Sequence, residues 1–449
     1  MIEIFLVLLC VLFVTAIGFF CIKWLNLLSM KDNLLTLGYS YGLGVGLISI
    51  QLYLYSRLNL PWDKYLLVLP WLILLFLGIF LRRKNGFTVD FKWPKLSKLE
   101  YLLVVLIVLT VSYTLFEALL RPVAVWDGWA IWLLKSKIFF IDGRIIPSAL
   151  AYVKSGYPLI ISLLGTFIYL MLGKVNDTAV LFASFSFYLF LGILFFALIK
   201  KRFGTTYSLL MTFLLLATQN LIRQGGRMEV GQADLALGYY FFICTSLLLT
   251  YVKENNYKVL VLLNIFMGIT TLIKFEGLPF VFAIEFIILC VILTKKLYKH
   301  LIAMLFWIIP IVDWQVFKAI SGLPVASFYN NVFNFSLNKT LNIFIAVFKE
   351  LINVKSWNLL WIAYFFSIGA ILYKKSREYL VLNSLICFQL LVYLCIYIFS
   401  SVFAPDSSLE RLLVHVAPLA MLSLAFLLAD VIKTEKLYGK LFRFFRLRK

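Results

Sequence analysis

Apolar runs of about 17 to 23 residues recur from the first residues of this 449-residue chain almost to its end. Each is long enough for an α-helix to cross the roughly 30 Å hydrocarbon layer of a bilayer. Inside that layer every backbone N–H and C=O must be paired within its own segment, so runs of this kind have to be helices. The chain is 63% hydrophobic and 14% charged, against about half and a quarter for a soluble domain. A water-soluble bundle would lack the polar surface to cover itself. The expected fold class is all-α, a polytopic helical membrane protein.

The pattern predicts about 13 transmembrane helices, near residues 2–23, 34–56, 64–81, 100–120, 178–199, 206–221, 233–252, 258–273, 278–294, 300–320, 356–373, 379–400 and 412–431. One more apolar stretch, 157–172, opens with Tyr157-Pro158, and charge bias decides its fate. If it stays on one side, Arg82-Arg83-Lys84, Lys200-Lys201-Arg202, Lys295-Lys296, Lys374-Lys375-Ser376-Arg377 and the tail from Lys433 to Lys449 share a face. About 26 of the 42 basic residues then face the cytoplasm, against roughly 7 of the 21 acidic ones. If it crosses, every basic cluster after residue 172 moves outside and the bias collapses. The stretch is therefore expected to be a re-entrant or juxtamembrane helix, with the N-terminus out and the C-terminus in. Pro158 suits its first turn, where no N–H needs a partner.

The net charge of +21 does not call for nucleic acid as a partner. The tail Ile432–Lys449 carries seven Lys/Arg and one Glu interleaved with Leu441, Phe442, Phe444, Phe445 and Leu447. That composition fits a segment resting on the anionic lipids of the inner leaflet. All six cysteines (Cys10, Cys21, Cys244, Cys290, Cys387, Cys395) fall in apolar runs, none at metal-ligand spacing, and read as small core residues. Met1-Ile2-Glu3 leads into apolar residues without a basic n-region or clear cleavage site, as an uncleaved first span does. There is no glycine-rich nucleotide loop. An enzyme of this kind must draw an activated substrate from the lipid phase.

The longest external segments are about 121–177, 321–355 and 401–411, with a shorter one near 222–233. The first contains Val125-Trp126-Asp127-Gly128-Trp129-Ala130-Ile131-Trp132. Trp favours the membrane–water boundary, and a carboxylate at that depth is a functional candidate by default. Spacing of three to four places Trp126, Trp129, Trp132 and Leu133 on one helical face, with Asp127 at the helix start. Asp127 is either the cap of an interfacial helix or a general base whose Trp neighbours exclude water. Lys135 and Lys137, farther along, lie near the phosphate level, where they snorkel to headgroups or bind a substrate phosphate.

Gln224-Gly225-Gly226-Arg227-Met228-Glu229-Val230-Gly231-Gln232-Ala233-Asp234 forms a glycine-rich helix entrance. Asp234 is either its N-cap or a second active-site carboxylate, binding hydroxyls or a divalent cation. Arg227 is a candidate substrate contact, and Glu229 is expected to be solvated. Lys274-Phe275-Glu276-Gly277 joins two short spans, its charges forming a local ion pair or a shield over a cavity. Asp313 and Gln315 lie at membrane depth with no obvious partner. Asp406-Ser407-Ser408-Leu409-Glu410-Arg411 leads into the last span, where Arg411 and His415, four apart, share a helix side. Arg411 can hold a phosphate through several N–H groups, and His415 is a substrate or core residue. Only His300 accompanies it, so a His-based zinc site is not expected.

In order and spacing these elements resemble the GT-C superfamily of integral-membrane glycosyltransferases, particularly the group allied to protein O-mannosyltransferases and lipid A aminoarabinose transferases. The resemblance covers roughly residues 100–420. It rests on Trp126-Asp127-Gly128-Trp129 with Lys135-Ser136-Lys137, Tyr157-Pro158, Lys201-Arg202-Phe203-Gly204, Ala233-Asp234-Leu235-Ala236-Leu237, Leu272-Ile273-Lys274-Phe275-Glu276-Gly277, and Glu410-Arg411 followed by Pro418. It implies juxtamembrane helices in the first large external loop and divides the chain into accessory spans with a basic loop (1–99), a catalytic membrane region (100–431) and a basic cytoplasmic tail (432–449). It also implies an inverting transferase of the plasma membrane, acting on its outer side. The donor would be a polyprenyl-phosphate sugar and the acceptor a hydroxyl of a glycan, lipid or protein. By this resemblance Asp127 is the catalytic base and Asp234 its helper. Trp126, Trp129, Lys135, Lys137, Arg227, Lys274, Glu276, Arg411 and His415 are candidate substrate contacts. The family often has a second acid beside its base, but Gly128 stands there, so the resemblance leaves a metal open. Rival readings are a flippase of lipid-linked glycans, which predicts internal repeats with matching broken helices, and an O-antigen polymerase or ligase. The loop 321–355 carries Asn330, Asn331, Asn334 and Lys339 but not the Arg and His expected of the latter.

Overall fold

The computed structural model describes residues 2–27, 33–82, 95–150, 156–227, 229–323, 335–373, 376–400 and 405–446. Its helices are α1 (Ile2–Trp24), α2 (Asn33–Arg57), α3 (Lys64–Arg82), α4 (Lys98–Leu120), α5 (Leu134–Asp142), α6 (Pro147–Leu150), α7 (Ile160–Leu172), α8 (Asp177–Phe203), α9 (Thr205–Leu216), α10 (Gln219–Gly225), α11 (Asp234–Glu254), α12 (Tyr257–Thr271), α13 (Gly277–Lys295), α14 (Ile308–Ile320), α15 (Leu337–Leu351), α16 (Val354–Trp357), α17 (Leu360–Tyr373), α18 (Arg377–Phe399) and α19 (Pro405–Arg446). Lys84, Ser155, Met228, Asn330, Asn331, Asn334, Lys374, Lys375 and the tail side chains lie outside the described residues.

Local chemistry sets the helix ends. Ser97 caps α4 by accepting from the Glu100 N–H, while the Glu100 carboxylate accepts from the Ser97 N–H. Asn176 caps α8 at its start, and Lys200, Lys201 and Arg202 meet the negative end of its dipole.

Among the described residues nine helices are long and apolar enough to cross a membrane, and a tenth counts if α9 and α10, bent by 70°, form one span. Three of the expected thirteen spans, at α3, α12 and α17, hold shorter apolar helices. At two of them a loop cuts the run: Lys274-Phe275-Glu276 follows α12, and Asn358, at φ +53°, precedes α17. α7 is a 13-residue helix, buried against α2, α5 and α8. It begins at Ile160, so Pro158 sits just before the first turn rather than in it.

α2 lies inside the bundle. The Tyr239 and Tyr240 hydroxyls donate to the carbonyls of Gly38 and Gly42, both at 2.6 Å, and Tyr41 donates to Ala183 O at 2.6 Å. Glycines let α1 and α2 approach this closely: a Cβ on Gly44 would collide with the Val14 carbonyl, and one on Gly18 with that of Ser40. A Gly44→Leu substitution is expected to destabilise the protein by about 1–3 kcal/mol or more through overpacking. Thermal unfolding in detergent measures the loss; an unchanged midpoint would show that α1 and α2 can separate freely.

The two ends of the bundle differ in charge. One end gathers Lys200, Lys201, Arg202 paired with Glu378, and Lys295 bonded to Asn255 and Val252 O. His300 meets Tyr251 there at 3.0 Å. The opposite end holds the first loop, the start of α11 and the start of α19. Two expectations change in this frame. Asp313 does have a partner, Arg57 at 3.9 Å. Only Cys10 and Cys244 are buried, whereas Cys290, Cys387 and Cys395 are exposed on outward helix faces.

Candidate active site

Asp234 opens α11 but does not cap it. Ala233 occupies the cap position, with no side-chain cap bond. The carboxylate is drawn sideways instead: its Oδ1 receives Lys274 Nζ at 2.7 Å and His415 Nε2 at 2.9 Å. With Nε2–H donating to Asp234, Nδ1 of His415 accepts from the Tyr393 hydroxyl at 2.6 Å. Lys274 also reaches Glu276 at 3.2 Å, and the Glu276 carbonyl accepts from Gln389. Side-chain exposure is 2% for Asp234, 8% for Lys274 and zero for His415. Burial by itself would lower the Lys274 ammonium, but the Asp234 and Glu276 carboxylates outweigh it and hold the group above its ordinary range. Lys274–Glu276 is thus one arm of a buried network, not an isolated local pair.

Four residues before His415, Arg411 points from the same side of α19 to the other carboxylate. Its guanidinium pairs with Asp127, and Nη1 also donates to Gln232 Oε1 at 3.2 Å. About a quarter of each charged side chain is exposed (25% and 28%), so this pair is open to the surface while the Asp234 cluster is sealed. Asp127 likewise makes no capping bond. Its anion is compensated from the far end of the chain.

Gly128–Leu133 form a π-helical turn. The wider turn rotates residues out of the 3.6-residue register, so the four residues expected on one face split. Trp126 and Trp129 are about half exposed, with rings 6.4 Å apart and edge-on, whereas Trp132 and Leu133 are buried. Gly128 sits against the Val230 carbonyl and Gly231, and Gly231 itself has φ +93°. Only glycine adopts that backbone readily, and the bend it makes brings Gln232 beside Arg411.

Behind this pair, Tyr157 packs between Trp132 and Phe275, with ring centroids 5.6 and 5.2 Å away. Lys135 is buried rather than snorkelling, its Nζ 3.5 Å from the Tyr157 carbonyl. Burial pushes its ammonium down to about 7. The folded protein therefore loses this positive charge as pH rises through about 7. If Lys135 helps to hold an anionic phosphodiester, binding should weaken by about tenfold across that range. The diester does not titrate there, so calorimetry on wild type and Lys135→Met isolates the effect. A slope retained in the variant would assign it elsewhere.

Lys137 is held by Asp177 at 2.8 Å, away from both central carboxylates. Arg227 is half-buried and its Nε has no acceptor among the described residues. Glu229 is not solvated: it pairs with Arg223 and Gln224, and burial raises its carboxyl, partly offset by Arg223. Arg223 also binds Glu410, which accepts from Ser356 at 3.1 Å. The structure thus joins Asp127, Asp234, Lys274, Glu276, Arg411 and His415, places Trp126, Trp129 and Lys135 beside them, and leaves Lys137 and Arg227 outside direct contact. Gln232, Gln389 and Tyr393 join the site without having been singled out. Gln232 was two residues from Asp234, but nothing local marks Tyr393 in the apolar run of α18.

Among the described residues no three His, Cys, Asp or Glu side chains converge as a metal site. Asp127 and Asp234 are matched by Arg411 and Lys274 instead, and the place of a second acid is taken by Gly128 packed on backbone. These residues do not fit a divalent cation.

No curated protein and no solved structure matches the chain. A family model described as dolichyl-phosphate-mannose-protein mannosyltransferase matches residues 157–314, roughly a third of the length. The matched stretch contains Asp234, Lys274 and Glu276; Asp127, Arg411 and His415 lie beyond it. Across it the chain is similar to that mannosyltransferase family, and with it to the glycosyltransferases of the GT-C type.

Proposed function

We propose that this protein is an inverting glycosyltransferase that moves a sugar from a polyprenyl-phosphate donor to an acceptor hydroxyl at the outer face of the plasma membrane. The observation that carries this reading is the Arg411 bridge. It sets a carboxylate beside a cation and two half-exposed Trp rings, at the bundle end opposite the basic clusters. The bias of Lys and Arg toward cytoplasmic loops supports an outer position for that end.

Asp127 removes the acceptor proton as the hydroxyl oxygen attacks the anomeric carbon. The bond from that carbon to the phosphate oxygen breaks, and polyprenyl phosphate leaves with the electron pair. One carboxylate suffices because the phosphate departs without being protonated, whereas hydrolysis of a sugar ether needs a second acid. Arg411 faces the charge that builds on the leaving phosphate. Trp126 and Trp129 offer apolar faces to the sugar. The buried Asp234–His415–Lys274 cluster positions α19, and through it Arg411.

Purified membranes supplied with a panel of labelled polyprenyl-phosphate sugars test the reading. Transfer of one sugar with inversion at its anomeric carbon is the expected result. Retention of configuration, or no transfer from any donor, would overturn it. Membrane-impermeant labelling of a Trp129→Cys variant should occur from outside in intact cells; labelling only after permeabilisation would reverse the sidedness.

A further inference from the structure

Helix α15 divides its side chains among unlike faces. Leu337, Leu341, Phe344, Ile345, Phe348 and, at its cap, Ile352 recur every three to four residues along one side, and each is 46–71% exposed. Asn342 and Lys349 fall on another side, where they line a polar hollow with Asp406. A third side buries Ile343 as α15 packs on α18 and α19. An apolar stripe of this length marks a surface that something covers.

Two observations identify the cover. The first is position: Lys339 Nζ donates to the carbonyls of Ile398 and Ser400, which ties α15 to the site end of α18. The second is continuity with α17. Phe348, Leu351 and Ile352 face Ile362, Phe365 and Phe366 across an apolar cleft of about 450 Å³, within the roughly 300–1,000 Å³ of ordinary ligand pockets. α17 starts at the site end, where Ser356 just before it donates to Glu410 at 3.1 Å. The chain resumes in α18 at the basic end, where Glu378 pairs with Arg202. α17 therefore crosses between the two ends, and its Phe366, 85% exposed, faces lipid. The stripe of α15 is an extension of that lipid-facing surface. Exposed Lys349 and Lys355 flank the cleft along the chain, as lysines that snorkel to lipid phosphates do.

We infer that α15 lies in the leaflet at the site end as an interfacial helix, and that the cleft between α15 and α17 holds an acyl chain of a membrane phospholipid. The inference goes beyond the transferase reading and does not depend on it. Its consequence reaches the site. Trp357 donates from Nε1 to Glu350 at 2.7 Å, Asn353 donates to Ser356 at 3.0 Å, and Ser356 donates to Glu410, the residue before Arg411. Lipid seated against α15 thus steadies the start of α19.

Two measurements on the full-length protein in phospholipid nanodiscs test this. Nitroxides are placed at Phe344→Cys, Phe348→Cys and Asn342→Cys in a chain whose six native cysteines are changed to alanine. Oxygen dissolved in the membrane should relax the labels at 344 and 348 several-fold more than a water-soluble nickel complex does, and the order should reverse at 342. Nickel access at 344 and 348 equal to that at 342 would overturn the inference, because α15 would then stand in water. Spin–spin broadening at 344 and 348 that disappears on dilution with unlabelled chains would overturn it in favour of a second copy. The other measurement uses the native sequence. A phospholipid with a photoreactive group in its acyl chain should crosslink to peptides containing Leu351 or Ile362. Leu351→Trp, which fills the cleft, should lower that yield several-fold while leaving crosslinks at Phe76 of α3, 71% exposed, unchanged. An unchanged yield in Leu351→Trp would remove the acyl chain from the cleft. Displacement of the adduct by excess farnesyl phosphate, but not by excess unlabelled phospholipid, would assign the cleft to an isoprenoid chain and overturn the phospholipid.

Discussion

Replacing Asp127 by Asn is expected to lower the transfer rate by about 10²- to 10⁴-fold, the usual contribution of a general base. The fold should survive, because Asp127 is open to the surface and Asn keeps an oxygen for Arg411. Donor affinity should hold or rise, since the substitution releases Arg411 from an anion that competes with the phosphate. The loss therefore belongs to kcat. Single-turnover transfer from a polyprenyl-phosphate sugar, measured beside donor binding, separates the two effects. A rate within a few-fold of wild type would end the role of Asp127 as base. A fall in donor affinity at constant rate would make it a binding residue instead.

The second large effect is on stability. Lys274→Met leaves Asp234 with His415 as its remaining partner, while Glu276 loses its cation. Breaking a buried pair from one side typically costs about 3–5 kcal/mol, because the surviving charge stays desolvated. Removing both charges in Asp234→Asn with Lys274→Met should recover much of that loss. Asp234 and Lys274 then leave no unpaired charge on each other, and the part of the loss that persists belongs to Glu276, which still lacks its cation. Unfolding in detergent of both single variants and the double variant gives the coupling. Additive losses would show that the two groups do not interact as their 2.7 Å separation implies.

Between these two clusters stands α19. It carries Arg411 and His415 on one side, so the open pair and the sealed network share a rigid support. Work on the reaction and work on stability will therefore interfere. A substitution that shifts α19, such as one at the fully buried His415, should lower both.

Much of the fold was legible because the bilayer imposes a one-dimensional rule. A run of the right length and polarity must be a helix, whatever it packs against. Positions of apolar segments, their alternation and the sorting of basic clusters to one end follow from such local quantities. What misled was equally local in origin. The 3.6-residue period put Trp132 with Trp126 and Trp129, but a π-helical turn separates them. The span near α17 looked longer than it is because α16 and the turn at Asn358 break the apolar sequence without changing its average polarity.

The candidate residues were recognisable by type and depth: acids at outer helix starts, Trp at a boundary, Arg and His one turn apart. Their partnerships were not. Asp127 and Arg411 are 284 positions apart, Asp234 and His415 are 181 apart, and no periodicity spans such distances. Sequence by itself determined that this chain is a membrane-spanning helical bundle with polar chemistry concentrated at one end, because bilayer energetics act on each segment separately. Tertiary structure alone decided that Asp127 answers to Arg411, that Asp234 is locked by His415 and Lys274, and that Gln232 belongs to the site. Charge compensation in a low-dielectric interior depends on which helices pack together, and that is a property of the whole bundle.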